Sequence, residues 1–333
     1  LFAYTYDTDI RTSLASKLID VSPSHFDKVV FMNTGSEATD TVYRLLKIWA
    51  RKNNKKYIVC FRGSYHGHAL GSDLMCGNED STEWSNITDD DIIFIDFPYN
   101  SGDKFDPTIL GDPSNIAAFM IETYQGWGAC MYPSHYIDDL YNFARKNGSL
   151  ICFDEVQSGF YRMGKLYGYQ TYNDKFKPDL ICVGKGITSS LPLSAVIGRK
   201  EIIDIDDNAN INGTHSGNTL ICASAIANIE FLSDRTFQKK LKKKIVLFER
   251  LCRQLESFDS VVKVYCKGMV AGIIMDSTES ANKVVDKCIN SGVLPVRTSR
   301  ESIKLGPPLT ISLSAIREAM NVLEEALEEI ENG

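Results

Sequence analysis

The chain has 333 residues, 44% of them hydrophobic and 24% charged, with a formal net charge of −7 and a pI near 5.4. That length allows one large domain, or a large and a small one, and the acidic balance argues against a nucleic-acid partner. The one dense lysine run, Lys239 to Lys244, reads as the solvated face of a helix. No apolar stretch reaches about 18 residues and the first ten residues lack a basic-then-apolar pattern, so neither a membrane span nor a signal peptide is expected. Nine cysteines without any Cys-x-x-Cys pair read as buried free thiols of a reducing compartment, with cytoplasm the default. The start at Leu1 rather than Met points to an excised domain or a trimmed product.

In chain order, Asn33-Thr34-Gly35-Ser36-Glu37-Ala38 precedes an amphipathic helix over Glu37 to Arg51, whose apolar positions Ala38, Val42, Leu45, Leu46 and Trp49 fall at helical spacing. Short β-branched runs follow at Tyr57 to Phe61, Ile92 to Ile95, Ile116 to Ile121, Leu150 to Phe153, Leu180 to Val183 and Ala195 to Ile197. Their alternation with helical segments predicts a mostly parallel sheet covered by helices, an α/β fold. Beyond about Phe231 the pattern changes to a charged helix (Thr236 to Glu256), strands near Val261 to Tyr265 and Ala271 to Met275, and helices over Ser280 to Ser291 and Ser314 to Ile330. This predicts a smaller α+β C-terminal domain, with residues 1–20 an N-terminal remnant, 21–232 the large domain and 233–333 the small one.

Three segments carry chemistry. Gly35 and Ser36 open a helix, where free N–H groups and the positive end of the dipole suit a phosphate, although Thr34 or Ser36 could equally be a plain helix cap. Asp154, Glu155 and Gln157 follow a buried strand at its carboxyl end, where open α/β sheets bind ligands. A carboxylate there keeps a neighbouring heterocyclic nitrogen protonated; a metal-binding or salt-bridging acid pair is the alternative. Gly184-Lys185-Gly186 ends another strand, and a lysine buried there is costly unless neutral or covalently engaged, with a snorkelling surface lysine as the other reading. Phosphate nest, acid and lysine on successive strand ends match a single cofactor that has a phosphate, a ring nitrogen and an aldehyde.

In their order and wording these segments resemble the class III aminotransferases of the fold type I pyridoxal phosphate (PLP) enzymes, from about Val21 to about Thr310. The resemblance implies a PLP-binding large domain, a small-molecule amino donor and carbonyl acceptor, and a homodimer with shared active sites. Lys185 would carry the cofactor as a Schiff base and shuttle the proton, with Asp154 on the pyridine nitrogen. Gln157 would sit near the phenolic oxygen, Gly35 and Ser36 on the phosphate, and Tyr65 of Gly63-Ser64-Tyr65-His66-Gly67-His68 against the ring face. Glu122 would support the cofactor side of the site, and Thr214 of Gly213-Thr214-His215-Ser216-Gly217-Asn218 would reach the phosphate of the neighbouring subunit. His66 and His68 invite a metal reading, but no third ligand is evident and the matching motif needs none.

Several positions depart from the family pattern. Thr123 stands where a proline usually follows Glu122, and Lys304 and Trp127 stand where many glutamate- or ornithine-using members have an arginine gated by a glutamate. A lysine attracts a carboxylate as a point charge but lacks the two-pronged grip of guanidinium. The segments around His66 and His215 lean towards the glutamate-1-semialdehyde aminomutase branch, which makes an intramolecular amino shift the alternative reaction. Gln157-Ser158-Gly159-Phe160 and Lys304-Leu305-Gly306-Pro307-Pro308 look like the transaminase version. The amino end is also shorter than is usual in the family.

Overall fold

A computed structural model describes residues 6–78, 83–298 and 300–332. The chain divides into two compact units: the first comprises the chain up to Thr123, Tyr132–Phe160 and Leu166–Phe231; the second takes Tyr124–Met131, Tyr161–Lys165 and everything from Leu232 on.

Among the described residues the first unit is built on seven strands: β1 (Lys28–Met32), β2 (Tyr57–Phe61), β3 (Ile92–Ile95), β4 (Ile116–Glu122), β5 (Leu150–Glu155), β6 (Leu180–Val183) and β7 (Ser194–Gly198). They pair in the order β1-β7-β6-β5-β4-β2-β3. β7 lies antiparallel to both of its neighbours, and the pairs among β2 to β6 are parallel. Every residue of β4, β5, β6 and β7 is buried, as expected of strands covered on both faces. The helices are α1 (Asp9–Val21), α2 (Gly35–Lys52), α3 (Leu70–Leu74), α4 (Ser134–Lys146), α5 (Lys200–Ile203) and α6 (Thr219–Ser233).

α2 begins where it does because Thr34 caps it: its hydroxyl accepts the Glu37 N–H at 3.1 Å, and the Glu37 carboxylate reaches back to the Asn33 and Thr34 N–H groups, a reciprocal capping box. Arg51 and Lys52 in its last turn complement the dipole. Ala38, Val42, Leu45 and Leu46 are fully buried against the sheet residues Ile58, Ala118, Cys152 and Val196, each of the larger side chains contributing about 1.5–3 kcal/mol. The Ser194 hydroxyl of β7 donates to Thr34 O at 2.6 Å and fixes the helix start against the sheet.

The second unit holds an antiparallel sheet of β8 (Val261–Lys267), β9 (Val270–Met275), β10 (Val296–Arg297) and β11 (Ser302–Leu305) in the order β10-β11-β9-β8, with helices α7 (Arg235–Gln254), α8 (Thr278–Asn290) and α9 (Leu313–Asn332). Gly268 (φ +67°) turns β8 into β9, and a Cβ on it would stand 2.4 Å from the carbonyl carbon of Met163. Arg162 donates to Met269 O and Pro307 O, both at 2.7 Å, and its own carbonyl accepts the Met269 N–H. Gly272 of β9 lies so close to the loop backbone that a Cβ would be 1.6 Å from Gly128 O.

Gly272→Ala therefore overpacks backbone against backbone and is expected to destabilise the second unit by about 3 kcal/mol. Gly102, with open space around it, is the control: Gly102→Ala should leave the melting curve and the hydrogen-exchange protection of β8 and β9 unchanged.

Candidate active site

Parallel pairing sets Glu122 of β4 beside Asp154 of β5, and Asp154 beside Cys182 of β6, so three strand ends open at one edge of the sheet. Asp154 is 8% exposed. Its Oδ2 lies 2.9 Å from Nδ1 of His66, whose side chain is fully buried, and its Oδ1 accepts the Val156 N–H at 3.0 Å. Two donors thus hold this carboxylate rigid. His66 is held in turn: Thr39 donates to its carbonyl at 2.6 Å, and its N–H meets Cys76 Sγ at 3.3 Å. Burial pushes the Cys76 thiol up to about 12, which leaves it protonated and unreactive.

The neighbouring acid does something else. Glu155 is fully buried, and its Oε1 accepts from Thr123 Oγ1 and Tyr169 N while its Oε2 accepts from Ser158 Oγ and Gly168 N, all at 2.7 Å. Burial raises its pKa against the pull of these donors. It ties down the segment after β5 rather than facing a ligand. Thr123 supplies both a hydroxyl to Glu155 and an N–H to Asp154 O at 3.3 Å. A proline at this position could give neither.

Val156 links the remaining pieces. A Cβ on Gly35 would stand 2.9 Å from Val156 Cγ1, and one on Gly184 would stand 3.2 Å from the same atom. The glycines flanking Lys185 admit close neighbours, Gly184 against Val156 and Ser194 and Gly186 against Phe160. The expected burial of Lys185 does not hold. The residue lies two steps past β6, exposed, at φ +37°, a left-handed conformation that is costly for a residue with a Cβ. Among the described residues its amine meets no hydrogen-bond or ion-pair partner.

The loop carrying Tyr65 is clamped onto the start of α2. Ser36 Oγ accepts the His68 N–H at 3.1 Å, and Gly67 (φ +120°) passes so close that a Cβ would collide with that oxygen. Tyr65 is 49% exposed, with its N–H donated to Glu122 Oε2 at 3.1 Å. Gly35, Ser36, Tyr65, Glu122, Asp154 and the strand end before Lys185 are thereby joined by direct contacts or strand register. Thr214 is not brought to them. It lies exposed in a turn, with no hydrogen bond among the described residues.

A family model described as "Aminotransferase class-III" matches residues 3–327. The acetylornithine aminotransferase of Methanothermobacter thermautotrophicus is 31% identical, over 98% of this chain and 80% of its own length. The isoleucine 2-epimerase of Lentilactobacillus buchneri is 27% identical, over 96% of this chain and 77% of its own. In fold, the chain is similar to the taurine:2-oxoglutarate aminotransferase of Bifidobacterium kashiwanohense, solved with PLP and glutamate, at a TM-score of 0.88 and 21% identity over 99% of this chain and 81% of the other.

The chain is a class III aminotransferase. Enzymes of this family depend on PLP, and the residues present fit that group. Capping of α2 by Thr34 engages the Glu37 N–H and leaves the Gly35 and Ser36 N–H groups without a partner among the described residues, at the positive end of the helix. A buried carboxylate suits a protonated ring nitrogen, and the side-chain oxygen of Gln157 is buried with no partner among the described residues. The aminomutase alternative is not favoured by these relatives. Sequence reasoning singled out His66 only to set aside a metal; its part is to hold Asp154, 88 residues away, and only the His66-to-Asp154 contact could have revealed it.

In the second unit of this aminotransferase, Lys304 of β11 donates from Nζ to Gly126 O at 2.7 Å. Trp127 donates to Gln125 Oε1 at 2.9 Å, and the Arg300 guanidinium lies 3.9 Å over its ring. The two positions that depart from the family pattern are thus built into one cation-rich corner around the loop Tyr124–Met131.

The two adjacent acids should separate experimentally. Glu155→Ala removes the carboxylate that four buried donors share, leaving the Gly168 and Tyr169 N–H groups without it, and is expected to cost about 4 kcal/mol of stability. Asp154→Asn should leave thermal stability nearly unchanged but lower kcat by several orders of magnitude, checked by denaturant melts and single-turnover kinetics.

Proposed function

We infer that this chain moves an amino group from an amine or amino-acid donor to a carbonyl acceptor, with Lys185 as covalent anchor and proton carrier. The observation that carries this reading is the strand-end arrangement, in which Asp154, held by His66, sits in register with the strand that delivers Lys185. PLP supplies the electron sink that lets the C–H bond at the donor carbon ionise. Lys185 Nζ takes that proton and gives it back, and its exposed, left-handed position leaves the amine unengaged for the task. Asp154 would keep the ring nitrogen protonated, the Gly35 and Ser36 N–H groups would hold the phosphate, and Gln157 would bond near the phenolic oxygen. Tyr65, its backbone fixed by Glu122, would cover the ring face.

The working form is a homodimer in which the partner's Thr214 reaches the phosphate. The exposed hydroxyl of Thr214 and the exposed Leu70, Leu191 and Leu220 support this. The nine free cysteines support a reducing, cytoplasmic setting. Lys304 offers a carboxylate a point charge already shared with Gly126 O, so donor recognition relies less on a bidentate carboxylate grip than an arginine at this position would allow.

A second reading, racemisation or epimerisation of an amino acid, is favoured by one observation, the similarity to an isoleucine 2-epimerase over nearly the whole chain. It uses the same proton transfer at Lys185 Nζ and needs no acceptor. Incubating the PLP-loaded enzyme with single amino acids in heavy water separates the two. Transamination releases a keto acid from the amino acid and leaves the cofactor in its amine form, whereas racemisation yields the mirror-image or epimeric product with solvent deuterium. In either case Lys185→Ala should lose the visible band of the lysine-bound cofactor and at least about 10⁴-fold in turnover; retention of both overturns the assignment.

A further inference from the structure

Two cysteines of the second unit face each other across a helix and a strand. Glu249 Oε1 of α7 accepts the Gly268 N–H at 2.7 Å, and Glu256 Oε1, just past α7, accepts the Val264 N–H at 3.4 Å. Glu249, Cys252 and Glu256 follow at spacings of three and four, one face of a helix. Val264 and Cys266 lie on one face of β8, and Gly268 follows its last residue. The two series run in opposite directions, so the outer pairs bracket Cys252 and Cys266 and set them opposite each other. The helical series spans about 10 Å and the strand series about 13 Å, close enough to stay in step. The hydrogen-bonding contact with Cys266, followed by burial, holds the Cys252 thiol well above its usual value.

The pair differs from the other thiols in access. Cys60, Cys152 and Cys182 are fully buried inside the large sheet. Cys266 is only half-buried and lies on β8, an edge strand, while Cys252 behind it is fully buried.

We propose that Cys252 and Cys266 form a reversible modification site, closing to a disulfide under hydrogen peroxide. The exposed partner reacts first: Cys266 sulfur attacks the peroxide, an S–O bond forms, the O–O bond breaks and water leaves. Cys252 sulfur then attacks Cys266 sulfur, the S–S bond forms, the S–O bond breaks and a second water leaves. Two thiols lose two electrons and two protons, and one peroxide becomes two waters. The bond closes a short loop running from the end of α7 through most of β8 and restricts the unfolded chain.

The test uses the full PLP-loaded chain treated with hydrogen peroxide, alkylated at the remaining thiols, digested and mapped by mass spectrometry. The expected result is one linked peptide pair joining Cys252 to Cys266, two hydrogens lighter than the separate peptides and released by dithiothreitol, with a melting temperature raised by several degrees. Cys266→Ser should abolish both the link and the rise. Separate alkylation of both cysteines after peroxide, or a sulfinic acid on Cys266 beside an unlinked Cys252, overturns the proposal; the peptide map of the unsubstituted protein decides this even if the variant misfolds.

Discussion

Parallel register between β4, β5 and β6 is the constraint on which the chemistry of the first unit rests. Parallel strands all end at one edge, so Glu122, Asp154 and the strand leading to Lys185 come out side by side without a dedicated loop to gather them. The two-residue period of a strand then divides the labour at the end of β5. Asp154 faces His66, and Glu155, one residue on, faces the opposite way into its four donors. One carboxylate is kept for a ligand and the other for holding the structure.

A second constraint is backbone closeness. Val156 touches the positions that Cβ atoms on Gly35 and Gly184 would take, so the helix start that offers N–H groups and the strand end that offers an amine are packed on one side chain. Ser194 holds Thr34, Ser36 holds the His68 N–H, and Glu122 holds the Tyr65 N–H. Each is a short polar tie between segments far apart in sequence. Each fixes backbone rather than a flexible side chain, which is what positioning a cofactor demands.

Much of this was legible because local patterns carried it. The β-branched runs gave β2 to β7 nearly to the residue, and the cap and stripe of α2 follow from Thr34, Glu37 and the spacing of Val42, Leu45 and Leu46. What escaped depends on contacts between distant segments. Lys185 read as buried because its strand is buried, yet that strand ends two residues before it. His66 looked like half of a His-x-His pair because its true partner, Asp154, lies on β5, far along the chain. The attachment of Tyr124–Met131 and Tyr161–Lys165 to the second unit rests on Gly272, Gly268 and Arg162, which no local periodicity reveals. The facing of Cys252 and Cys266 likewise emerges only once helix and strand are laid against each other.

The central claim is that Lys185, among all the lysines, bonds to the cofactor. Reducing the PLP-loaded protein with borohydride makes that bond permanent, and peptide mapping then locates it. The account predicts a single modified peptide, Val183-Gly184-Lys185-Gly186 within it, carrying one pyridoxyl phosphate group per chain. A label on any other lysine, or none at all, would contradict it.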